Sequence, residues 1–180
     1  MAKNYSIKIV SDIEMIMKKI GWKYHFDEGK GAIFFGVSMG GKMSLKYVLD
    51  IDQSFCVVYV MSPINADSTD EKMMANMAKF LCMVNYGLKN GNFEIDMKSG
   101  EIRYKCCMDW KYTGGLEEIF KANVYEPAAM FECYGKGIIQ IVFNNMPAEQ
   151  AISMCEEKCH FPLLFLKLLQ TLGYLLHIHL

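Results

Sequence analysis

The sequence has almost no excess charge of either sign. Its 180 residues include 19 Lys and Arg against 20 Asp and Glu, which gives a net charge of −1. Proteins that bind a phosphate backbone carry clustered positive charge, so this composition argues against a nucleic-acid partner. Proline is also scarce, at 4 residues, and the 14 glycines are an ordinary number, which excludes a collagen-like or low-complexity chain. The composition predicts a globular domain large enough to bury its own core.

Cysteine is too sparse for a disulfide scaffold. The 7 cysteines fall below the roughly 8–10% of residues typical of small disulfide-rich proteins, and their spacing does not repeat. A long apolar stretch is also missing from residues 1–20, where charged residues such as Lys8 and Asp12 interrupt the pattern. We therefore expect a cytoplasmic protein with reduced thiols that mostly act as small buried apolar side chains.

Apolar periodicity predicts an α+β fold with a largely antiparallel sheet of about five strands packed with helices. Apolar residues three or four apart indicate helices over 9–20, about 68–91 and 116–144, with a boundary or kink at Pro127. Alternating apolar residues indicate strands over 32–37, 43–51, 55–61, 93–96 and 102–106. The predicted order is α-β-β-β-α-β-β-α, with a last short helix beginning at Pro147.

The stretch from Gly36 to Gly40 satisfies G-x-S-x-G, which exposes a serine nucleophile between a strand and a helix in α/β-hydrolases. A small serine hydrolase using Ser38 is therefore one alternative function. The residues that follow alternate like a strand, however, and no base is predicted nearby, so a Gly-Gly hairpin turn is favoured. The same stretch lacks the Ser or Thr after Lys42 that a phosphate loop needs. We expect no catalytic residue and no cofactor.

Cysteine spacing offers only a weak metal-binding pattern. Cys155 and Cys159 are four residues apart, and His160 is adjacent to the second of them. A tetrahedral zinc site needs four converging ligands, and no second pair with similar spacing is present. We therefore expect no metal site.

Two apolar segments are candidates for an interaction surface. Met73 and Met77 lie on the second predicted helix, where flexible thioether groups either fill the core or form an adaptable binding surface. Residues 160–180 are a hydrophobic C-terminal tail that we predict to be helical. The candidate contact residues on its apolar face are Phe165, Leu168, Leu172 and Leu175.

The polar stripe of this tail includes Lys167, which would be costly inside a bilayer. Membrane association through the tail is therefore not favoured over a contact with protein. An apolar face of this size needs a cover, which the tail could find by docking on protein or by pairing with a copy of itself.

Residues 85–96 (NYGLKNGNFEID) and 99–104 (SGEIRY) resemble the signature of the YbjN-like family of bacterial sensory transduction regulators. Residues 125–127 and 146–152 are similar to later landmarks of that family. The resemblance covers about residues 5–157, so we divide the chain into a YbjN-like α+β domain, 1–159, and the tail, 160–180.

The resemblance implies a fold like that of type III secretion chaperones, small α+β proteins that dimerise and bind extended segments of client proteins. It carries no catalytic residues. Together with the apolar segments, it leads us to expect a non-enzymatic, homodimeric protein-binding module. The expected partner is another protein or peptide segment, bound through exposed apolar surface.

Overall fold

The structure, a computed structural model, describes residues 4–39, 43–110, 115–157 and 159. Within these ranges the chain forms four helices and a six-stranded antiparallel sheet. The helices are α1 (Ile7–Lys19), α2 (Glu71–Gly87), α3 (Leu116–Asn144) and α4 (Ala148–Glu156). The strands are β1 (His25–Asp27), β2 (Ala32–Met39), β3 (Met43–Ile51), β4 (Phe55–Met61), β5 (Asn92–Ile95) and β6 (Ile102–Asp109). The predicted α+β class and antiparallel sheet are confirmed.

The strand count differs from the prediction because β1 was missed. This strand has three residues, too few to show an alternating pattern, and it pairs with β2 so that Phe26 lies opposite Ile33. The sheet order is β1-β2-β3-β4-β6-β5. β2, β3 and β4, which were predicted as strands, form a three-stranded meander, and β5 and β6 form a hairpin.

Of the two alternatives predicted at Pro127, a boundary or a kink, the boundary is wrong, because α3 continues through this residue. Proline cannot donate a hydrogen bond to the carbonyl four residues earlier, which here belongs to Asn123. The thiol of Cys106 on β6 donates to that carbonyl at 3.5 Å, and the hydroxyl of Tyr47 on β3 donates to the carbonyl of Val124 at 2.8 Å. Side chains of the sheet thus satisfy the backbone of α3 beside the proline.

The described helices cover one face of the sheet. On β3, Leu45, Tyr47 and Leu49 point towards the helices and are buried, whereas the alternate residues are exposed or half-buried. β2, β4 and β6 follow the same alternation. The opposite face, which we call the open face, carries no helix from the described part of the chain.

The segment with the family resemblance joins α2 to the β5–β6 hairpin. The side-chain amide of Asn85 donates to the carbonyl of Phe93 at 2.9 Å and accepts from its N–H at 2.8 Å. A side chain thereby occupies backbone groups of an edge strand that could otherwise pair with another chain. Tyr104 donates from its hydroxyl to the carbonyl of Asn90, which fixes the loop before β5. The edge at β5 is therefore protected, and the open face is the larger unoccupied surface of the sheet.

Candidate functional site

The open face carries an apolar strip across its central strands. Phe34 on β2 lies opposite Val48 on β3, which in turn lies opposite Tyr59 on β4. Further apolar side chains lie along β4, including Phe55, which is 37% exposed. The apolar strip consists of Phe34, Val48, Phe55, Val57, Tyr59 and Met61. It forms a continuous apolar surface on the side of the sheet away from the helices.

The composition of β4 produces this strip. Its sequence, FCVVYVM, is apolar at outward as well as inward positions. An antiparallel sheet with one face in water usually alternates apolar residues inside with polar residues outside. A strand that is apolar on both faces is typical of a sheet whose two faces are both covered.

Charged residues are arranged unevenly around the apolar strip. On β3, Lys46 and Asp50 lie two residues on either side of Val48 and share its outward face. Arg103 on β6 lies in the same cross-strand row as Lys46, with Met61 between them. The Lys46 end of β3 is thus the more basic end, and the Asp50 end is acidic. Neither Lys46 nor Asp50 has an ion-pair partner among the described residues.

Ion pairs stiffen the β6 side of the open face. The guanidinium of Arg103 lies 4.4 Å from the centroid of the Tyr59 ring, and its Nε lies 2.8 Å from Glu94 Oε2. Lys105 Nζ lies 3.5 Å from Glu94 Oε1. Partial burial opposes ionisation of Glu94, but the hydrogen bond and charge of Arg103, with the charge of Lys105, hold its pKa below the usual value. Tyr59 is thereby held in one orientation, which favours binding because less side-chain entropy is lost.

The thiols near this face are poor nucleophiles. Burial, followed by the charge of Glu126, raises the pKa of Cys106 to about 12. Cys107 is exposed on the open face, where partial burial and then the charge of Asp109 raise its pKa above the ordinary value. A thiol reacts as the thiolate, so a raised pKa makes both groups weaker nucleophiles near neutral pH.

Ser38 lies on the open face, but the structural context of a hydrolase is absent from the described residues. It pairs with Ser44 across an antiparallel hairpin, so β2 leads into β3 and not into a helix. His25, the one histidine in the described ranges, lies opposite Phe34. Phe34 is four residues from Ser38, or about 13 Å along an extended strand. His25 is therefore too far away to act as the base for the Ser38 hydroxyl.

We expect a fluorophosphonate probe to label the wild-type chain and Ser38→Ala to the same extent, because His25 is too far away to activate the Ser38 hydroxyl. In-gel fluorescence or peptide mass spectrometry measures this directly. Labelling that disappears in Ser38→Ala would support the hydrolase alternative and contradict our interpretation of the hairpin.

The structure places the predicted interaction residues in different environments. Met77 is fully buried in the core, and Met73 is half-buried, with its sulfur 3.4 Å from the N–H of Asp67. Met77 therefore fills the core and does not contribute to an exposed surface. The predicted contact residues of the tail lie outside the described residues; these are Phe165, Leu168, Leu172 and Leu175.

The expectation that all thiols are reduced does not hold in this structure. Cys133 on α3 and Cys159 form a disulfide, with their Cα atoms 5.2 Å apart. Their sequence separation of 26 residues gave no signal of pairing. Cys155, which was considered together with Cys159, remains a free, buried thiol on α4. α4 ends at Glu156, so Cys159 lies beyond the end of this helix.

Other site types were compared with the described residues and with known proteins. In the described ranges, no group of three or more His, Cys, Asp and Glu side chains is placed to hold a metal ion. None of the described helices is long and apolar enough to cross a membrane. No known family model matches the chain, and no curated protein matches it.

Proposed function

We propose that this chain is a non-enzymatic protein-binding module whose open face pairs with a second copy of the chain. The observation that carries this proposal is the apolar strip on a sheet face that no described helix covers. Burying such a strip between two sheets removes apolar surface from water, which is the main favourable contribution to association. β-Sheets pack face to face in this way in many proteins.

The charge arrangement on β3 favours a second copy as the occupant. In such a dimer the two sheets face each other, and a two-fold axis passes midway between them at Val48. This axis is parallel to both sheets and perpendicular to the strands. Rotation about this axis reverses the strand direction, so Lys46 of one copy faces Asp50 of the other. Val48 then packs against its own symmetry mate, and both ends of the strand meet an opposite charge. The open face is thus complementary to itself.

The finer identity is also a proposal. The resemblance of residues 85–96 and 99–104 supports a bacterial sensory transduction regulator with a fold like that of type III secretion chaperones. Such proteins dimerise, which agrees with a self-complementary face. A further partner protein or peptide segment would bind the resulting dimer.

A charge exchange on β3 tests the proposed pairing. In Lys46→Asp or Asp50→Lys, like charges face each other twice in the symmetric dimer, so we expect each single variant to dimerise about ten-fold more weakly. The double variant, Lys46→Asp with Asp50→Lys, restores opposite charges and should recover the wild-type dissociation constant to within about three-fold. Sedimentation velocity over a concentration series measures all four proteins.

The double variant is the matched control for charge and for solubility, because its composition differs little from that of the wild-type chain. Equal weakening in all three variants would mean that positions 46 and 50 do not face each other. Unchanged dimerisation in all three would place the self-association surface elsewhere.

A further inference from the structure

We propose that residues 160–180 dock on an apolar patch of their own chain, on the second half of α3. This α3 patch consists of Gly135, Ile139, Val142 and Phe143. Ile139 is 39% exposed and Phe143 is 65% exposed. These residues lie within about 100° of one another around a helix that turns about 100° per residue. This surface is separate from the open face, so the inference does not depend on the proposed function.

A groove adjoins the α3 patch and extends its apolar surface. The groove lies between α3 and the residues that follow β4, and the first residue of β3 also lines it. Its lining residues are Met43, Ser62, Pro63, Ile64, Phe131, Gly135, Ile138 and Ile139. A Cβ atom at Gly135 would meet no other atom within 4 Å, so this part of the helix surface is open. The groove could therefore accept apolar side chains from a segment lying along α3.

The disulfide anchors the start of the tail to α3 at Cys133, two residues before Gly135 in the sequence but on another side of the helix. Cys159 immediately precedes the tail, and its bond to Cys133 holds it against α3. From Cys133 to Phe143 the distance along the helix axis is about 15 Å, at about 1.5 Å per residue. A tail of 21 residues would span about 31 Å even if it were fully helical. Reach therefore does not limit docking on the α3 patch.

Tethering favours this occupant over a separate molecule. A short connection to the binding surface gives an effective concentration in the millimolar range, so even a weak apolar contact is populated. The tail supplies matching chemistry, because Phe165, Leu168, Leu172 and Leu175 share one face in the helical pattern. Docking would cover the apolar face of the tail and the exposed side chains of α3 together.

Photo-cross-linking in the full-length chain tests the inference. p-Benzoylphenylalanine replaces Phe143 in one protein and Met15 in a control protein. Met15 is 64% exposed on α1. Like Phe143, it is an exposed apolar residue on an α-helix. After irradiation, mass spectrometry identifies the peptides joined to each position. We expect residues 160–180 to be joined to position 143 at least five-fold more often than to position 15.

Two further measurements separate the possible occupants. A mixture of ¹⁵N-labelled and unlabelled chains should give cross-links only within one chain. Replacing Phe165, Leu168, Leu172 and Leu175 together by serine should reduce the cross-link at position 143 at least five-fold. Cross-links between labelled and unlabelled chains would make a second copy the occupant and overturn the proposal. Equal yields at positions 15 and 143, or no link to residues 160–180, would also overturn it.

Discussion

Gly100→Ala is expected to lower the free energy of unfolding by about 3 kcal/mol or more. Gly100 has φ of +74°, a left-handed conformation that costs other residues energy. A Cβ atom at this position would lie 2.0 Å from the carbonyl oxygen of Ala66. That oxygen belongs to backbone, and the N–H of Ala66 donates to the Gly100 carbonyl at 2.9 Å. The clash would therefore separate the β5–β6 turn from the loop that leads into α2.

Gly87→Ala is the matched control for this substitution. Gly87 is the last residue of α2, and a Cβ atom there would meet nothing within 4 Å. We expect the control to be as stable as the wild-type chain or slightly more stable, because alanine favours the helix. Urea unfolding followed by circular dichroism measures both variants. A loss of less than about 1 kcal/mol in Gly100→Ala would contradict the geometry described for this turn.

Tyr59→Asp is expected to weaken self-association by at least about 100-fold, with the fold retained. Tyr59 lies in the apolar strip on β4, under the guanidinium of Arg103. In the proposed dimer a carboxylate here would be removed from water against apolar side chains, which costs several kcal/mol. In the monomer the same carboxylate lies on the outward face, where water and Arg103 stabilise its charge.

Tyr86→Asp controls for the added charge and the lost ring. Tyr86 is 95% exposed on α2, which lies on the other side of the sheet from the open face. We expect this variant to dimerise like the wild-type chain. At a chain concentration below the wild-type dimer dissociation constant, the urea midpoints of both variants should remain close to that of the wild-type chain, which separates lost association from lost folding. A Tyr59→Asp protein with unchanged affinity would show that the apolar strip is not the interface.

Local patterns predicted most of the fold because the elements are long enough to show a period. The alternation of β2, β3, β4 and β6 and the spacing in α2 are visible in the sequence alone. β1 is too short for such a pattern. The carbonyl of Asn123, which Pro127 leaves without its helical donor, accepts from Cys106, 17 residues away in the sequence. A contact between distant residues leaves no local signal, so the sequence indicated a boundary or kink at Pro127.

The candidate site was harder to predict because it depends on which faces the helices cover. The apolar run of β4 indicated a strand, but the sequence alone does not show that helices cover only one face of it. Met77 and the apolar strip both consist of apolar residues, yet one is in the core and the other faces outward. The strand order and registers were needed to distinguish them.

Sedimentation equilibrium of the full-length chain is the most direct test of the central claim that the open face pairs two copies. The chain has a mass of 20.6 kDa. We predict a concentration-dependent species of about 41 kDa, twice the chain mass, in the wild-type protein and only the single-chain mass in Tyr59→Asp. A wild-type protein that stays at 20.6 kDa over the whole micromolar range would contradict the account.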